Sequence, residues 1–386
     1  MKILFVTPRL PFPPRKGDQV VAFHRLRTLG PSHDITLLTM VDGTDEPGAE
    51  DALRPFCSRI VKIPHSRWKA AWNLLSQGIW SKLPLQVLYF RSDRFKKALD
   101  TLLTEDFDLI HGFMLRLLPY LEGQGKPVLL DCNDSMQLNI GRQVNVTTGP
   151  KHWLFQEELR RLRAYEPSID CHVQNSIFVS PIDAMASGLK KTLVLPLGVQ
   201  VPPPVAPCSQ PIVAFSGNMG YAPNIQAVEW FVGRCWPEIQ RAVPDAIFRI
   251  IGGNVSSSVL ALRGVPGVEV LGRVEDMMIA LQRAAVSVAP MQSGSGMQFK
   301  VLEAMACGLP VVTTTLGLGA IKAGVNQEIL IANEPSEFAQ IVIRLLMDGS
   351  TRMALGERAR RFVQVNHSWE WIASEVERCY INCISH

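Results

Sequence analysis

The stretch Pro290–Thr315, PMQSGSGMQFKVLEAMACGLPVVTTT, carries the most information about the fold of this chain. It starts at the end of an apolar strand, passes through the small-residue turn Ser293–Gly296 and enters a helix of about ten residues. Gly308 is expected to end that helix, Pro310 prevents its continuation, and a second apolar strand follows. The order strand, turn, helix, strand is typical of a parallel α/β unit.

The same alternation runs along the rest of the chain. Continuous apolar runs, typical of buried parallel strands, predict strands at Lys2–Thr7, Asp34–Met40, Asp108–Phe113, Val128–Asp131, Cys171–Asn175, Thr192–Pro196, Ile212–Ser216, Phe248–Ile251, Val268–Leu271, Ala285–Ala289 and Val311–Thr313. Helical spacing predicts helices at Gly17–Leu29, Leu154–Glu166, Ala227–Gln240 and Trp369–Cys383.

A chain of 386 residues is long enough for two domains. We predict a Rossmann-like domain at 1–200, a proline-rich linker at 201–211, a second Rossmann-like domain at 212–366 and a C-terminal helix at 367–386. Open α/β sheets bind ligands at the carboxyl ends of their strands, so the cleft between the two domains is the expected site.

Composition narrows the classes of function. The net charge is only +4 and charged residues make up 19% of the chain, which indicates a globular protein without a nucleic-acid partner. No apolar run reaches the ~18 residues of a membrane-spanning helix, and Met1 leads directly into a strand instead of a signal peptide. The eight cysteines are scattered without a CxxC pair, so we expect reduced thiols and a cytoplasmic location.

The glycine-serine turn has the chemistry of a phosphate site. Free backbone N–H groups at a helix N-terminus favour an anion, and glycines let a diphosphate approach the backbone. Lys300 adds a positive charge, and Glu303 is suited to accept hydrogen bonds from both hydroxyls of a ribose. An ordinary turn with a solvated lysine and glutamate explains the bare turn equally well. The loop residues concerned are Gly294, Ser295, Gly296 and Met297.

A wider match favours the functional interpretation. Residues 303–312, EAMACGLPVV, resemble the LEAMACGxPVV signature of family 4 retaining glycosyltransferases. The resemblance extends over nearly the whole chain and implies the GT-B fold, in which the helix at 367–386 returns toward the first domain. It also implies a nucleotide-diphosphate-sugar donor and retention of anomeric configuration. Glu303 corresponds to the second carboxylate of the family's E-x7-E pattern, whereas Ser295 stands in place of the first. Lys300 resembles the lysine of a G-x-x-x-K-x-x-E subset that includes the sugar transferases of exosortase (PEP-CTERM) exopolysaccharide loci.

The resemblance assigns further donor contacts. The segment FSGNMGYAPN at 215–224 is similar to a branch with GNMxYxPN, so Gly217 and Asn218 are expected to bind donor phosphate or sugar. We predict Asn224 as the N-cap of the next helix. The loop expected to touch the nucleotide base contains Arg273 and Val274, although a routine strand end fits them as well.

The N-terminal half is expected to bind the acceptor. Gly17 is placed to approach the donor phosphates. His111 is similar to the histidine of the family's DxxH strand, which faces the donor sugar, although a lone strand histidine is more often structural. Asp134 follows a predicted strand at its carboxyl end, where it is either close to the acceptor hydroxyl or simply starts a turn. Basic residues expected to meet a phosphorylated acceptor are Arg9, Arg15 and Lys16.

We expect no metal and no cofactor other than the nucleotide sugar as co-substrate. Asp106-Phe107-Asp108 spells the DxD metal motif of the other major glycosyltransferase fold, but it precedes its strand and so lies at the amino end, away from the site. In a GT-B enzyme, the helix dipole and a lysine stabilise the leaving diphosphate. The expected acceptor is a glycan or a lipid-linked saccharide.

The segment Arg67–Lys97 mixes cations with tryptophan and other aromatic residues. Such a segment fits a peripheral contact with an anionic membrane on its inner face. A helical insertion that packs its tryptophans on the core fits the sequence equally well.

Two other functions remain open. A nucleotide-sugar 2-epimerase needs the same diphosphate site, but it also needs additional carboxylates for acid–base work, and Ser295 disfavours this. A non-catalytic nucleotide-sugar-binding protein is the third possibility.

Overall fold

The computed structural model describes residues 1–14, 17–43, 47–78, 80–293 and 298–385. The chain divides into two compact units, and each has its own parallel sheet. Unit 1 consists of Met1–Leu197 together with Ile372–His386, and unit 2 consists of Gly198–Trp371.

Unit 1 contains a sheet in the order β3-β2-β1-β4-β5-β6-β7 within the described residues. Its strands are β1 (Lys2–Thr7), β2 (Asp34–Val41), β3 (Arg59–Pro64), β4 (Leu109–Phe113), β5 (Val128–Asn133), β6 (Asn175–Phe178) and β7 (Thr192–Val194). Its helices are α1 (Gly17–Leu29), α2 (Ala49–Leu53), α3 (Arg67–Gln77), α4 (Leu85–Tyr89), α5 (Asp93–Leu102), α6 (Leu118–Leu121), α7 (Met136–Val146), α8 (Pro150–Tyr165) and α9 (Pro181–Ser187).

Unit 2 contains a second parallel sheet in the order β10-β9-β8-β11-β12-β13, again within the described residues. Its strands are β8 (Ile212–Ser216), β9 (Ile247–Ile251), β10 (Val268–Gly272), β11 (Val286–Ala289), β12 (Val311–Thr313) and β13 (Leu330–Ile331). Its helices are α10 (Ala222–Arg234), α11 (Trp236–Ala242), α12 (Ser257–Ala261), α13 (Met277–Gln282), α14 (Phe299–Ala306), α15 (Thr315–Leu318), α16 (Pro335–Met347) and α17 (Gly349–Asn366). The last helix, α18 (Trp369–Ile384), contributes its residues from Ile372 onward to unit 1.

Each sheet has one point where the strand order reverses. In unit 1 this point lies between β1 and β4, because β1 connects to β2 on one side and β4 connects to β5 on the other. In unit 2 this point lies between β8 and β11, because β8 connects to β9 on one side and β11 connects to β12 on the other. The connections diverge there and leave a crevice at the carboxyl ends of the strands, where α/β folds bind ligands.

Two predicted elements differ from the structure. Residues Glu166–Cys171 form a 3₁₀ turn, and the strand expected there begins only at Asn175. The predicted helix Ala227–Gln240 is two helices that meet at Cys235, because Pro237 cannot donate the hydrogen bond of a continuing helix.

The proline-rich segment 201–211 has neither helix nor strand, as predicted, but it belongs to unit 2. Arg360 Nη2 donates to the carbonyl oxygen of Pro202, and Arg352 Nη2 donates to that of Cys208 at 3.3 Å. The segment is therefore fastened to one unit instead of forming a free hinge.

Candidate functional site

The loop after β8 is held tightly against the loop after β9. Gly217 N donates to the carbonyl oxygen of Ile251 at 3.0 Å, and Met219 N donates to that of Gly253 at 2.9 Å. A Cβ atom on Gly252 would lie 1.7 Å from the Gly217 oxygen, so glycine is required at this position. The close contact fixes the backbone at the carboxyl edge of the sheet, beside the switch point.

Lys300 reaches this loop from the first turn of α14. Its Nζ donates to Asn224 Oδ1 at 2.9 Å and to Gln298 Oε1 at 3.0 Å. The same atom lies 5.6 Å from the centroid of the Phe215 ring. Both hydrogen-bonding oxygens belong to neutral amides, and within the described residues no carboxylate forms an ion pair with this ammonium. The charge is thus held in place without being neutralised.

Asn224 was predicted as a helix N-cap, and that prediction is wrong. Tyr221 precedes α10, and Asn224 lies inside its first turn, where the side chain is buried. Its Nδ2 donates to the carbonyl oxygen of Asn218 at 2.9 Å while its Oδ1 accepts from Lys300. The asparagine therefore joins the β8 loop to α14. Sequence spacing contains no signal for this contact, because the two side chains are separated by 76 positions.

Glu303 lies three residues beyond Lys300, on the same face of α14. Burial raises the pKa of Glu303 to about 7, and the nearby Lys300 partly offsets this effect. Burial likewise lowers the pKa of Lys300 to about 8, partly offset by Glu303. In the part of the chain that the structure describes, the Glu303 carboxylate has no hydrogen bond or ion pair. Two desolvated, incompletely satisfied charges at a switch point are typical of a ligand site.

The predicted phosphate loop, Gly294, Ser295, Gly296 and Met297, lies outside the described residues, and so do Arg15 and Lys16. Its flanks are described. Ser293 Oγ donates to Gln226 Oε1 on α10, and Gln298 precedes the first residue of α14. The role of the loop stays a prediction.

Other predicted donor contacts lie at the same edge of unit 2. The exposed Asn218 uses its Oδ1 to accept from Gly220 N at 3.0 Å and from Asn254 Nδ2 at 3.2 Å. With its Oδ1 engaged in this way, the Asn218 side chain can offer a ligand its Nδ2 as a donor. Arg273 is exposed directly after β10, whereas Val274 packs against the apolar core.

His111, expected to face the donor sugar, lies in the middle of β4 with its ring completely buried, and its role toward the donor stays a prediction. Its Nδ1 is 2.6 Å from the hydroxyl oxygen of Tyr380 on α18, and its Nε2 is 4.0 Å from Asp131 Oδ2. Burial, aided by the charge of Arg25, lowers the pKa of His111 well below its ordinary value. The neutral ring joins the C-terminal helix to the sheet of unit 1.

Asp134 directly follows β5 and is half-buried at the carboxyl edge of the sheet, as predicted. Asn133 Nδ2 donates to its carboxylate at 3.1 Å. Burial raises the pKa of Asp134, and the charge of Asp183 acts in the same direction. Gly17 is the first residue of α1. The proposed roles of both residues toward ligands stay predictions.

The DxD sequence lies at the amino end of β4. Asp106 is exposed and pairs with Lys126 at 2.9 Å, while Asp108 accepts from the backbone nitrogen of Lys2 at 2.7 Å. Both carboxylates thus have structural partners on the side of the sheet opposite the strand ends. Among the described residues, no three His, Cys, Asp or Glu side chains are grouped as a metal site requires.

Comparison with known proteins shows which proteins this chain is similar to. Residues 210–348 match the family model described as glycosyl transferases group 1. The chain is 28% identical over 247 residues to a GDP-mannose-dependent monoacylated alpha-(1-6)-phosphatidylinositol monomannoside mannosyltransferase of Corynebacterium glutamicum, across 60% of this chain and 60% of that relative. It is 34% identical over 107 residues to a D-inositol 3-phosphate glycosyltransferase of Salinispora arenicola, across 27% of this chain and 24% of that protein. This chain therefore spans less than two thirds of the length of either relative.

Solved structures agree on the fold. HepE of Anabaena in complex with UDP superposes with a TM-score of 0.64 at 14% identity, over 99% of this chain and 100% of that one. Sucrose-phosphate synthase of Thermosynechococcus elongatus gives 0.63 at 17% identity, over 100% and 99% of the two chains. The predicted GT-B fold is confirmed. Together, the matched domain and the curated relatives support a glycosyltransferase.

Proposed function

We propose that this chain transfers a sugar from a nucleotide-diphosphate-sugar donor to a saccharide or lipid-linked acceptor, with retention of configuration as in family 4. We also propose a role in exopolysaccharide or cell-surface glycan synthesis. One observation carries the proposal. Lys300 and Glu303 lie on one face of α14, both partly buried and neither paired with an opposite charge among the described residues, inside a region that matches the group 1 glycosyl transferase model.

Lys300 is suited to the leaving diphosphate. As the bond between the anomeric carbon and the phosphate oxygen breaks, its electron pair passes to that oxygen and the charge on the diphosphate grows. An ammonium already fixed by two neutral oxygens stabilises this growing charge without having to reorganise. The acceptor hydroxyl oxygen forms the new bond to the anomeric carbon, and its proton goes to the departing phosphate oxygen.

Glu303 is suited to the ribose of the donor. A carboxylate without a hydrogen-bond partner among the described residues can accept from both ribose hydroxyls, and such hydrogen bonds to a charged group are the stronger kind. The ribose does not change during the reaction, so this contact holds the donor instead of lowering the barrier.

A two-step assay tests the proposal. A panel of nucleotide sugars is screened by thermal shift, because a bound donor raises the melting temperature by mass action. Turnover of the stabilising donor then separates the alternatives. Release of nucleoside diphosphate that depends on an acceptor supports transfer, an isomerised donor supports the epimerase, and binding without turnover supports the non-catalytic protein.

We further propose that unit 1 rests on an anionic membrane through α3. Trp68, Trp72 and Leu75 share one face of this helix and are 88%, 69% and 74% exposed. Ala70 is the residue of α3 that is buried, so the apolar face points away from the core. The alternative in which the tryptophans of this segment pack on the core is therefore wrong for Trp68 and Trp72, as it is for Trp80, which is 87% exposed.

The segment that contains this apolar face also carries exposed positive charges. The cations of the segment that are exposed are Arg67, Lys69, Lys82, Arg91, Arg94 and Lys97. Exposed tryptophan beside lysine and arginine suits the interface of a bilayer with anionic lipids. No helix in the described part of the chain is long and apolar enough to span a membrane.

Co-sedimentation with anionic and with neutral vesicles tests this contact. We expect preferential pelleting with anionic vesicles and at least a tenfold weaker affinity, about 1.4 kcal/mol, for the double variant Trp68→Ser, Trp72→Ser. Met185→Ser is the control, because Met185 is 82% exposed on α9, outside the segment. Equal and negligible pelleting with both vesicle types would rule out the contact.

A further inference from the structure

Three basic side chains from three strand ends of unit 1 surround the ring of Phe90. Arg9 follows β1, His65 follows β3 and Arg116 follows β4. The Cζ atoms of Arg9 and Arg116 lie 5.9 and 5.2 Å from the centroid of this ring, and His65 stacks on it at 5.3 Å. The cluster thus lies at the carboxyl edge of the sheet, where β1 and β4 form the switch point of unit 1.

Arg116 has a charge and hydrogen-bond donors that no acceptor among the described residues satisfies. Its Nε and Nη1 atoms are buried, and no acceptor in the described ranges reaches them. Burial lowers the pKa of Arg116 to about 10, and the charge of Arg9 acts in the same direction. Buried hydrogen-bond donors without an acceptor destabilise a fold, so their presence calls for a compensating role.

The neighbouring acids are already engaged elsewhere. Asp18 accepts from Arg9 Nη1 at 3.0 Å. The carboxylate of Glu158 accepts from the backbone nitrogens of Leu85 and Gln86 at 2.6 and 3.2 Å. In the described part of the chain, neither acid forms an ion pair with Arg116.

The backbone around Arg116 is also unusual. Met114, two residues earlier, has φ of 72°, in the left-handed region that non-glycine residues seldom adopt. Its amide donates to the carbonyl oxygen of Asp131 at 2.8 Å, which fixes the turn that presents Arg116. Such local strain is concentrated at ligand sites.

We propose that Arg116, with Arg9 and His65, forms an anion site in unit 1 that binds a phosphate or phosphate-ester group. Guanidinium groups are well suited to phosphate oxygens. The identification of this group as the phosphate of the acceptor rests on the proposed function, whereas the anion site itself does not. The acceptor would then be a phosphorylated saccharide or a lipid phosphate instead of a neutral glycan.

Calorimetric titration with inorganic phosphate, glucose 1-phosphate and farnesyl phosphate tests the site, with glucose and farnesol as neutral counterparts. All variants are made in a Lys300→Ala background to suppress phosphate binding in unit 2. We expect at least one phosphate compound to bind, and Arg116→Met to weaken that binding at least tenfold. Arg163→Met, at an exposed position on α8, is the matched control and should bind like the parent protein. The phosphate compound that binds most tightly distinguishes a free phosphate, a sugar phosphate and a lipid phosphate.

Stability separates this site from a structural arginine. Removing an unpaired buried charge should leave the ligand-free melting temperature of Arg116→Met unchanged or raised, whereas loss of a structural arginine lowers it. The inference is overturned if no phosphate compound binds, or if Arg116→Met binds it as tightly as the parent protein. If phosphate binding depended on Arg116 but the wild-type protein turned over no donor, the proposed function would be refuted and the anion site would stand.

Discussion

Replacing Lys300 with alanine removes the ammonium that the β8 loop and α14 hold at the switch point of unit 2. Its Nζ lies 2.9 Å from Asn224 Oδ1 and 3.0 Å from Gln298 Oε1, so it is in position before the donor arrives. Its interaction with the diphosphate strengthens as the sugar leaves. We therefore expect kcat to fall about 100-fold or more, on the scale of losing one preorganised hydrogen-bond donor.

Burial of Lys300 gives the wild-type enzyme a pH dependence that Lys300→Ala should lack. Because the pKa of Lys300 is lowered to about 8, roughly nine-tenths of the free enzyme carries the ammonium at pH 7 and roughly one-tenth at pH 9. The profile of kcat/KM reports ionisations of the free enzyme. The wild-type value should therefore decline above pH 8, and its ratio to that of Lys300→Ala should shrink about tenfold between pH 7 and pH 9.

Steady-state kinetics from pH 6.5 to 9.5, with donor affinity measured separately, provide the test. Lys322→Ala is the control, since Lys322 is an exposed lysine of the same unit. The reasoning is refuted if Lys300→Ala keeps the wild-type kcat and donor affinity at pH 7. A ratio of the two kcat/KM values that stays constant from pH 7 to pH 9 would instead refute the assignment of the alkaline limb to Lys300.

Two further substitutions separate binding from folding. Glu303→Gln should weaken donor binding by about 1.5–3 kcal/mol with little change in kcat, because a charged acceptor toward the unchanging ribose is lost. Since the pKa of Glu303 is raised to about 7, wild-type donor affinity should fall as the pH drops below 7 and the carboxylate protonates; an equal fall in the variant, in pH-dependent calorimetry, would count against this. Gly252→Ala should destabilise unit 2 by roughly 2–4 kcal/mol in urea unfolding, because its Cβ would lie 1.7 Å from a backbone oxygen. Gly233→Ala, in a helix with open space around the new Cβ, should instead be neutral or stabilising, and equal effects of the two changes would contradict the steric argument.

Features that depend on local sequence were predictable. The strands Lys2–Thr7, Ile212–Ser216 and Val311–Thr313 have their predicted bounds, because both faces of a parallel sheet are covered and each strand is apolar throughout. The placement of Lys300 and Glu303 on one helix face followed from their spacing of three residues. The edge strand Arg59–Pro64 was not predicted. Its apolar residues are only partly buried, and Arg59 and Lys62 interrupt the continuous apolar run that marked the other strands.

Features that depend on distant contacts were not predictable. The hydrogen bond between Asn224 and Lys300 joins residues 76 positions apart, and the one between His111 and Tyr380 joins residues 269 apart. Which face of α3 points to solvent depends on the residues that pack against the helix. The spacing of its apolar residues is the same whether they face the core or the solvent, so the sequence does not decide between the two.

In both units, a cation paired with a carboxylate differs in its expected role from a cation without such a partner. Arg25 is buried, with 2% of its surface exposed, and its Nε donates to Asp131 Oδ2 at 3.0 Å, so the pair belongs to the fold. Lys300 and Arg116 lie at the switch points of their sheets without such a carboxylate partner in the described residues. Arg25→Met should therefore cost about 3–5 kcal/mol of stability, since it leaves Asp131 buried and unpaired. Replacing Lys300 or Arg116 by methionine should instead spare stability and weaken anion binding in the unit that carries the change. Urea unfolding of the three variants compares their stabilities directly. If Arg25→Met were no less stable than the other two, the pairing of a buried cation would not be the property that separates a structural charge from a ligand-binding one in this protein.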